Sequence, residues 1–292
     1  MSFKLRRKTA AAVGLVLAAC VMSGPAPAEG TDNQPLRVMS LNIRCIALED
    51  GADMWFFRSE EVGDYILRHD PDLMGLQEVK ALQHQDLQRM LSGYESFGRP
   101  RMDGRLLGER CKVFYKSSRL KLLQHGTFWL STTPDKAGSK SWDSLFPRIV
   151  TWGKLRDLKT GKEFYIFNTH FDHAGRKARL ESAKLLSRKV EEIAGESPVV
   201  ITGDFNATPD SKPYQVMTSS FRDGRKVSKS PPQGPSATSW SFQPRPKREK
   251  RIDYIFVSEG MEVLSYAVLA ETYGKDRRPS DHKAVLARLR VR

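Results

Sequence analysis

Several short apolar runs in this chain end in a residue that a buried strand end does not ordinarily tolerate. Val38-Met39-Ser40-Leu41 runs into Asn42, Leu73-Met74-Gly75-Leu76-Gln77 into Glu78, Phe164-Tyr165-Ile166-Phe167 into Asn168 and His170, and Val199-Val200-Ile201-Thr202-Gly203 into Asp204. An amide, carboxylate or imidazole at the margin of a buried sheet loses hydration unless a cation or hydrogen bonds replace it. Several such ends meeting on one rim call for a sheet-based fold with a polar, metal-suited site at one edge.

Between these runs the periodicity changes. Arg58 to Arg68 has helical spacing, Asp70-Pro71-Asp72 breaks it, and Val79 to Leu91 returns to helix. Val113 to Tyr115, Leu120 to Leu130 and Ile149 to Leu155 read as strands. From Ala174 to Ile193 the apolar positions trace one long amphipathic helix with a Lys/Arg-rich polar face. Two late strands fall around Ile252 to Val257 and Ala284 to Val291, which makes a mixed α/β domain. Residues 222 to 251 read as a long basic loop, ending in Arg245-Pro246-Lys247-Arg248-Glu249-Lys250-Arg251; such a run touches substrate or is simply a solvated surface.

The 292 residues, 39% of them hydrophobic, suffice for one large domain. Lys4, Arg6, Arg7 and Lys8 precede the apolar stretch Ala10 to Val21, followed by small residues, so residues 1–29 are expected to be a signal peptide and 30–292 a single domain, secreted or periplasmic. Leu17-Ala18-Ala19-Cys20 resembles a lipoprotein cleavage site that would anchor the chain at Cys20, and Ala26-Pro27-Ala28 an ordinary one. Cys45 and Cys111 are the thiols left in the mature part; sequence does not say whether they pair. The formal net charge of +14 favours anionic partners such as nucleic acid, phospholipid headgroups or phosphorylated glycans, without choosing among them. A monomer is expected, touching membrane only through a lipid anchor.

Taken singly, each polar candidate has an ordinary reading. A terminal Asn42 or Glu78 caps a turn or helix. Asp204, two residues before Asn206, closes an Asx-turn as readily as it acts as a base. Asp253 in an otherwise apolar strand, and the adjacent pair Asp281-His282, can be structural contacts, although a carboxylate also orients a histidine. Asn42 and Glu78 offer oxygens suited to Mg²⁺ or Mn²⁺. The period of two puts Asn168 and His170 on one face, within reach of one phosphate. His173 stands close by, but the spacing of soft ligands is wrong for structural zinc.

Order turns these weak signals into a strong one. Ser40-Leu41-Asn42-Ile43, Gly75-Leu76-Gln77-Glu78, Asn168-Thr169-His170, Gly203-Asp204-Phe205-Asn206, Arg251-Ile252-Asp253-Tyr254-Ile255 and Ser280-Asp281-His282 occur in succession. This series resembles the endonuclease/exonuclease/phosphatase superfamily over about residues 36–292. The resemblance implies a four-layer α/β/β/α sandwich of two packed mixed β-sheets with helices outside. It implies Mg²⁺ (or Mn²⁺) held by Asn42, Glu78 and Asp281, with His170, Asp204, Asn206 and His282 around the scissile phosphate and Asn168 as a further phosphate contact. Asp253 would orient His282 and Glu109 would orient His170; Asp204 or His282 would take the proton of a water attacking in line. Gly126 to Ser131 and Pro147 to Trp152 are similar to an exported bacterial branch related to deadenylases and sphingomyelinases. There Arg148 binds phosphate or pairs with a buried acid. The implied activity is phosphoester hydrolysis, in the first instance of a phosphodiester in nucleic acid, phospholipid or a sugar phosphate. The alternative is a surface protein that binds anionic ligands without turnover.

Overall fold

The computed structural model describes residues 1–2, 34–242 and 249–292. The expected signal peptide, with Cys20, and most of the basic run 245–251 fall outside the described residues. From residue 34 the chain runs through β1 (Leu36–Asn42), α1 (Ser59–His69), β2 (Leu73–Val79), α2 (Ala81–Met90), β3 (Tyr94–Phe97), β4 (Arg110–Lys116), β5 (Leu120–Trp129), β6 (Ile149–Asp157) and β7 (Glu163–His170). It continues through α3 (Arg176–Ala194), β8 (Val199–Asp204), α4 (Lys212–Ser220), β9 (Arg222–Asp223), β10 (Asp253–Val257), β11 (Met261–Leu269) and β12 (Ala284–Val291). The strands form two six-stranded mixed sheets, ordered β11-β12-β1-β2-β4-β3 and β5-β6-β7-β8-β10-β9.

Alternation along each strand builds the layers. In β1, Leu36 and Val38 join the core between the sheets, whereas Met39 and Leu41 pack with Val62, Ile66 and Leu87 of α1 and α2. In β7 and β8, Phe164, Ile166 and Val200 face the other sheet, while Phe167, Val199 and Ile201 meet Leu185, Leu186 and Val190 of α3. Each buried aliphatic or aromatic side chain stabilises the fold by about 1.5–3 kcal/mol relative to exposure, which fixes strand register, since a slip of one residue would exchange the two faces. The result is the expected α/β/β/α sandwich.

On the face between the sheets, the apolar positions give way to polar ones towards one end of the sandwich. Leu36 and Val38 are followed at the same period by Ser40 and Asn42, Leu73 by Gly75 and Gln77, Ile166 by Asn168 and His170, and Val200 by Thr202 and Asp204. β1 and β2 are parallel, with Asn42 opposite Gln77, and so are β7 and β8, with His170 opposite Asp204. The polar ends therefore arrive at one level. Beneath that level Gln77, Asn168 and Thr202, all fully buried, tie the sheets together. Gln77 Nε2 donates to Asn168 Oδ1 at 2.7 Å, Asn168 Nδ2 donates to the Leu76 and Lys112 carbonyls at 3.0 and 2.9 Å, and the Thr202 hydroxyl donates to Asn168 Oδ1 at 3.2 Å. Gly75 makes room for this seam: a Cβ there would collide with Thr202 Oγ1 and the Asn168 amide. Gly75→Ala is expected to lower stability by about 1–3 kcal/mol, read from a denaturant midpoint; an unchanged midpoint would refute the seam's rigidity.

Several sequence expectations need correction. Val79 ends β2 rather than beginning a helix, and α2 starts after Lys80. β3, β11 and α4 are additions: β3 is four residues long, β11 mixes apolar with polar positions, and α4 begins Lys212-Pro213 and ends in Thr218-Ser219-Ser220, a weak helical signature. The 222–251 stretch is not uniformly solvated, because Arg222–Asp223 pairs with β10 and Arg251 Nη2 holds the buried Asp223 Oδ1 at 2.5 Å while stacking on Tyr254. Cys45 and Cys111 are both free thiols. Among the described residues no helix is long and apolar enough to cross a membrane.

Candidate active site

At the polar end of the sandwich a cavity of about 300 Å³ opens between the two sheets, lined by Glu78, Asp204, Asn206, Asp281, His170 and His282 together with Arg44, Cys45, Arg101, Glu109, Phe146, Arg148 and His173. Nine of the ten side chains singled out from sequence line it or bond directly to a residue that does. Asn168 alone lies below it, locked in the inter-sheet seam with no exposed surface. The expected phosphate contact from Asn168 is thus corrected to a packing role, because both ends of its amide are already satisfied by buried partners.

Glu78 enters the site through a bulge. The β2–β4 register shifts between Leu76 and Val79, and Glu78 takes φ = 64°, a left-handed conformation that bends its side chain off the helix-facing side. Its carboxylate accepts from Asn42 Nδ2 at 2.9 Å and from the Cys45 N–H at 2.8 Å. Burial would push the Glu78 carboxyl up, but these two hydrogen bonds and the His282 charge outweigh it and hold it below the ordinary carboxylate range. Asp281 is pushed the other way, by burial and then by the Glu78 charge. Two half-buried carboxylates facing one cavity form a hard-oxygen donor set whose mutual repulsion a divalent cation relieves, so the residues fit Mg²⁺ or Mn²⁺. Asn42 points its Nδ2 at Glu78 and Asp204, and its Oδ1 accepts from Arg44 N at 3.0 Å; as it stands it orients the two acids.

Asp204 closes β8. Its Oδ1 accepts from Asn206 N at 2.9 Å, so the Asx-turn reading and the site reading are both realised, and Asn206 adopts φ = 47° while its Nδ2 donates to the Phe171 carbonyl at 3.0 Å. Asp204 Oδ2 faces His170 Nε2 at 3.5 Å and His282 Nε2 at 3.8 Å. Burial, with the Asp253 charge second, raises its carboxyl to about 7. His282 Nδ1 sits 2.9 Å from Asp253 Oδ2, as expected from the sequence. Burial opposes its charge, but Asp253, then Asp204 and Asp281, raise it well above an ordinary imidazole. Asp204, Asp253 and His282 cluster closely enough to suggest a metal site of their own. The Asp253 bond to Nδ1 makes His282 and Asp253 a hydrogen-bonded pair and leaves Nε2 facing Asp204.

His170 is the opposite case. Burial, and after it the Arg148 and Arg101 charges, push its protonation well below the ordinary range, so the ring is neutral. Its Nδ1 is buried without a partner, and Glu109 does not supply one. Glu109 makes a bidentate pair with Arg101, at 2.8 and 2.9 Å, which corrects the expected Glu109–His170 contact: a buried guanidinium competes better for a carboxylate than a neutral imidazole does.

Arg148 takes the buried-acid reading and keeps one nitrogen unpaired. Nε faces the buried Asp172 at 3.4 Å, Nη2 lies 2.9 Å from His173 Nδ1, and Nη1 is buried without a partner at the cavity wall. Arg101 and Asp172 carried no sequence signal, the first because it lies in an irregular loop and the second because it is masked by the flanking histidines. Cys45 lies at the rim, and burial followed by the Glu78 charge raises its thiol to about 12, which makes it no nucleophile.

A sheet sandwich whose strand ends converge on acids, two histidines and unpartnered guanidinium N–H groups makes a pocket suited to an anionic ester. The chain belongs to the endonuclease/exonuclease/phosphatase family, whose model matches residues 39–282. It is similar to Drosophila melanogaster nocturnin, 27% identical over 87% of this chain and 45% of that protein, and to Rattus norvegicus nocturnin, 27% identical over 86% and 64%. The chain thus spans about half to two thirds of the length of these relatives. Among solved structures it is similar to a family member from Bacteroides vulgatus, with TM-score 0.84 and 37% identity over 88% of this chain and 99% of the other. A mannosyl-6-phosphatase from Bacteroides thetaiotaomicron gives TM-score 0.83 and 37% identity over 87% and 99%.

Proposed function

We propose that the protein is a divalent-metal-dependent phosphomonoesterase that releases phosphate from a sugar phosphate. The observation that carries this reading is the unpartnered Arg148 Nη1 at the wall of a small cavity, beside Arg101. Two guanidiniums at one end of a space of about 300 Å³ suit the terminal oxygens of a monoester dianion. The likeness to a mannosyl-6-phosphatase over nearly the full length of both chains supports the same substrate class.

Glu78 and Asp281, with Asn42 between Glu78 and Asp204, would hold the metal, which when bound neutralises charge on the phosphoryl group. The remaining steps belong to the chain. Arg148 and Arg101 orient the terminal oxygens. His282, kept cationic by Asp253, donates from Nε2 to an oxygen that gains charge in the transition state. Asp204 carries the proton affinity a general base needs near neutral pH and takes the proton of the attacking water. His170, neutral, accepts or donates at Nε2 without adding charge beside Asp204, and Asn206 holds Asp204 at its working angle.

The test is phosphate release from mannose 6-phosphate and glucose 6-phosphate, with bis(p-nitrophenyl) phosphate and a short RNA as diesters, in Mg²⁺, Mn²⁺ or chelator. Turnover of the monoesters, lost with chelator and in Glu78→Ala and Asp281→Ala, is expected, with the diesters about 10²-fold slower. Comparable diester cleavage would make the protein a phosphodiesterase. Release that persists in chelator would remove the metal, and no release from any substrate would leave the binding-protein alternative.

A further inference from the structure

Next to the cavity lies a wider cleft of about 1160 Å³, and the two share His173 and Asn206 in their walls. The outer walls are the start of α3, the start of α4 and Lys250. Four exposed cations, Arg176, Lys177, Lys212 and Lys250, line it, against one acid, Asp210. Among the described residues none of the four forms an ion pair, and Asp210 is the one acid in the cleft wall to oppose their charge. A fifth cation, Arg179, is fixed at the back by donating to the Asp172 carbonyl at 2.8 Å.

The start of α4 adds backbone donors. Ser211 precedes the helix but turns its hydroxyl to the Thr208 carbonyl at 2.6 Å, so α4 has no side-chain cap, and Ser211, Lys212 and Pro213 face the cleft. The positive end of a helix dipole beside unpaired cationic side chains favours an anionic group such as phosphate. The start of α3 is different, because Asp143 from the loop between β5 and β6 accepts from the Lys177 and Ala178 N–H groups. The anion preference is therefore placed on the α4 side.

We propose that this cleft binds a second phosphoryl group of the substrate, carried a few bonds from the one hydrolysed between Asp204 and His282. The preferred substrate is then a sugar bearing at least two phosphates, an assignment that rests on the phosphomonoesterase reading and narrows it. His173 and Asn206 form the step between the two subsites.

Calorimetric titration of the Asp204→Asn protein in Mg²⁺ with glucose 6-phosphate and with glucose 1,6-bisphosphate tests this without turnover. The bisphosphate is expected to bind about tenfold more tightly, as one set of charge-assisted contacts provides. Lys177→Gln/Lys212→Gln, two exposed positions, should erase that advantage and leave the monophosphate affinity unchanged, and added salt should shrink it. Equal affinities, or a double substitution that weakens both sugars alike, would overturn the cleft assignment. Wild-type turnover of glucose 6-phosphate, measured alongside, separates the two failures. Hydrolysis without a bisphosphate advantage removes the cleft alone. If neither sugar binds or is turned over, the phosphomonoesterase reading falls and the cleft assignment with it.

Discussion

Asp204→Asn is expected to reduce turnover by about 10²- to 10⁴-fold and at the same time to raise the melting temperature of the metal-free protein at neutral pH. The loss follows from the position of the carboxylate, with Oδ2 facing both histidines and Oδ1 fixed by the Asn206 N–H. The gain follows from linkage. Burial and the Asp253 charge raise the Asp204 carboxyl from its ordinary 3.8 to about 7, so folding disfavours its ionised form. The wild-type protein therefore loses stability as pH climbs from about 4 to about 7, and the neutral amide does not. Part of the gain is returned, because an amide cannot accept from both Asn42 and Asn206 as the carboxylate does. The net should be on the order of 1–3 kcal/mol above pH 7, narrowing as pH falls towards 4. Thermal melts in chelator at pH 8 and pH 4.5 measure it. A substituted protein that melts below wild type at pH 8, or one that keeps its turnover, would contradict the role given to Asp204.

Asp172→Ala should do the reverse, removing stability first and activity through it. Asp172 is 1% exposed, and its Oδ2 accepts from the Ser144 hydroxyl, the Leu145 and Phe146 N–H groups and Arg148 Nε, at 3.2, 3.1, 3.3 and 3.4 Å. Its Oδ1 accepts from Ala174 N at 3.0 Å and Gly175 N at 2.7 Å. One carboxylate thus joins the loop before β6 to the loop before α3 and leaves Arg148 aimed at the cavity. Deleting it strands a buried guanidinium, a change that costs about 3–5 kcal/mol and roughly 10 °C of melting temperature for a domain of this size. Burial would push this carboxyl up, but the Gly175 N–H, the Arg148 charge and the loop N–H groups hold it well below the ordinary 3.8. Its contribution is therefore complete above about pH 4 and fades only in strong acid, as pH falls through the folded-state value. The deficit of Asp172→Ala should be constant from pH 5 to pH 8. A deficit that disappears within that range, or KM for the sugar phosphate unchanged despite the loss of Arg148's partner, would argue against this reading.

What could be read from the sequence was whatever repeats with strand periodicity. Asn42, His170 and Asp204 sit where a period of two continues the inter-sheet apolar face, so their convergence follows from strand pattern alone, and Asp253 reaches His282 as the ordered motifs imply. Periodicity names a face but not a depth, which is why Asn168 is expected at the phosphate although it lies one pleat lower than His170, bonded to Gln77 and Thr202. Glu78 breaks its own strand's alternation through the bulge, so only its place in a motif, and not the pattern, put it in the site. Arg101 and Asp172 come from loops, where no period exists, and Glu109 was matched to the wrong partner because sequence could not reveal that Arg101 stood nearer.

The last strand, β12, lies between β11 and β1 rather than at an edge, pairing Leu289 with Leu36 and with Val263. Asp281 and His282 immediately precede it. One edge of β1 stays open until β12 pairs with it, and the closing of that gap is the same event that brings an acid and an imidazole to the cavity. A chain that lacks β12 therefore loses more than a strand: the pairing of β1 and the anchoring of Asp281 and His282 go together.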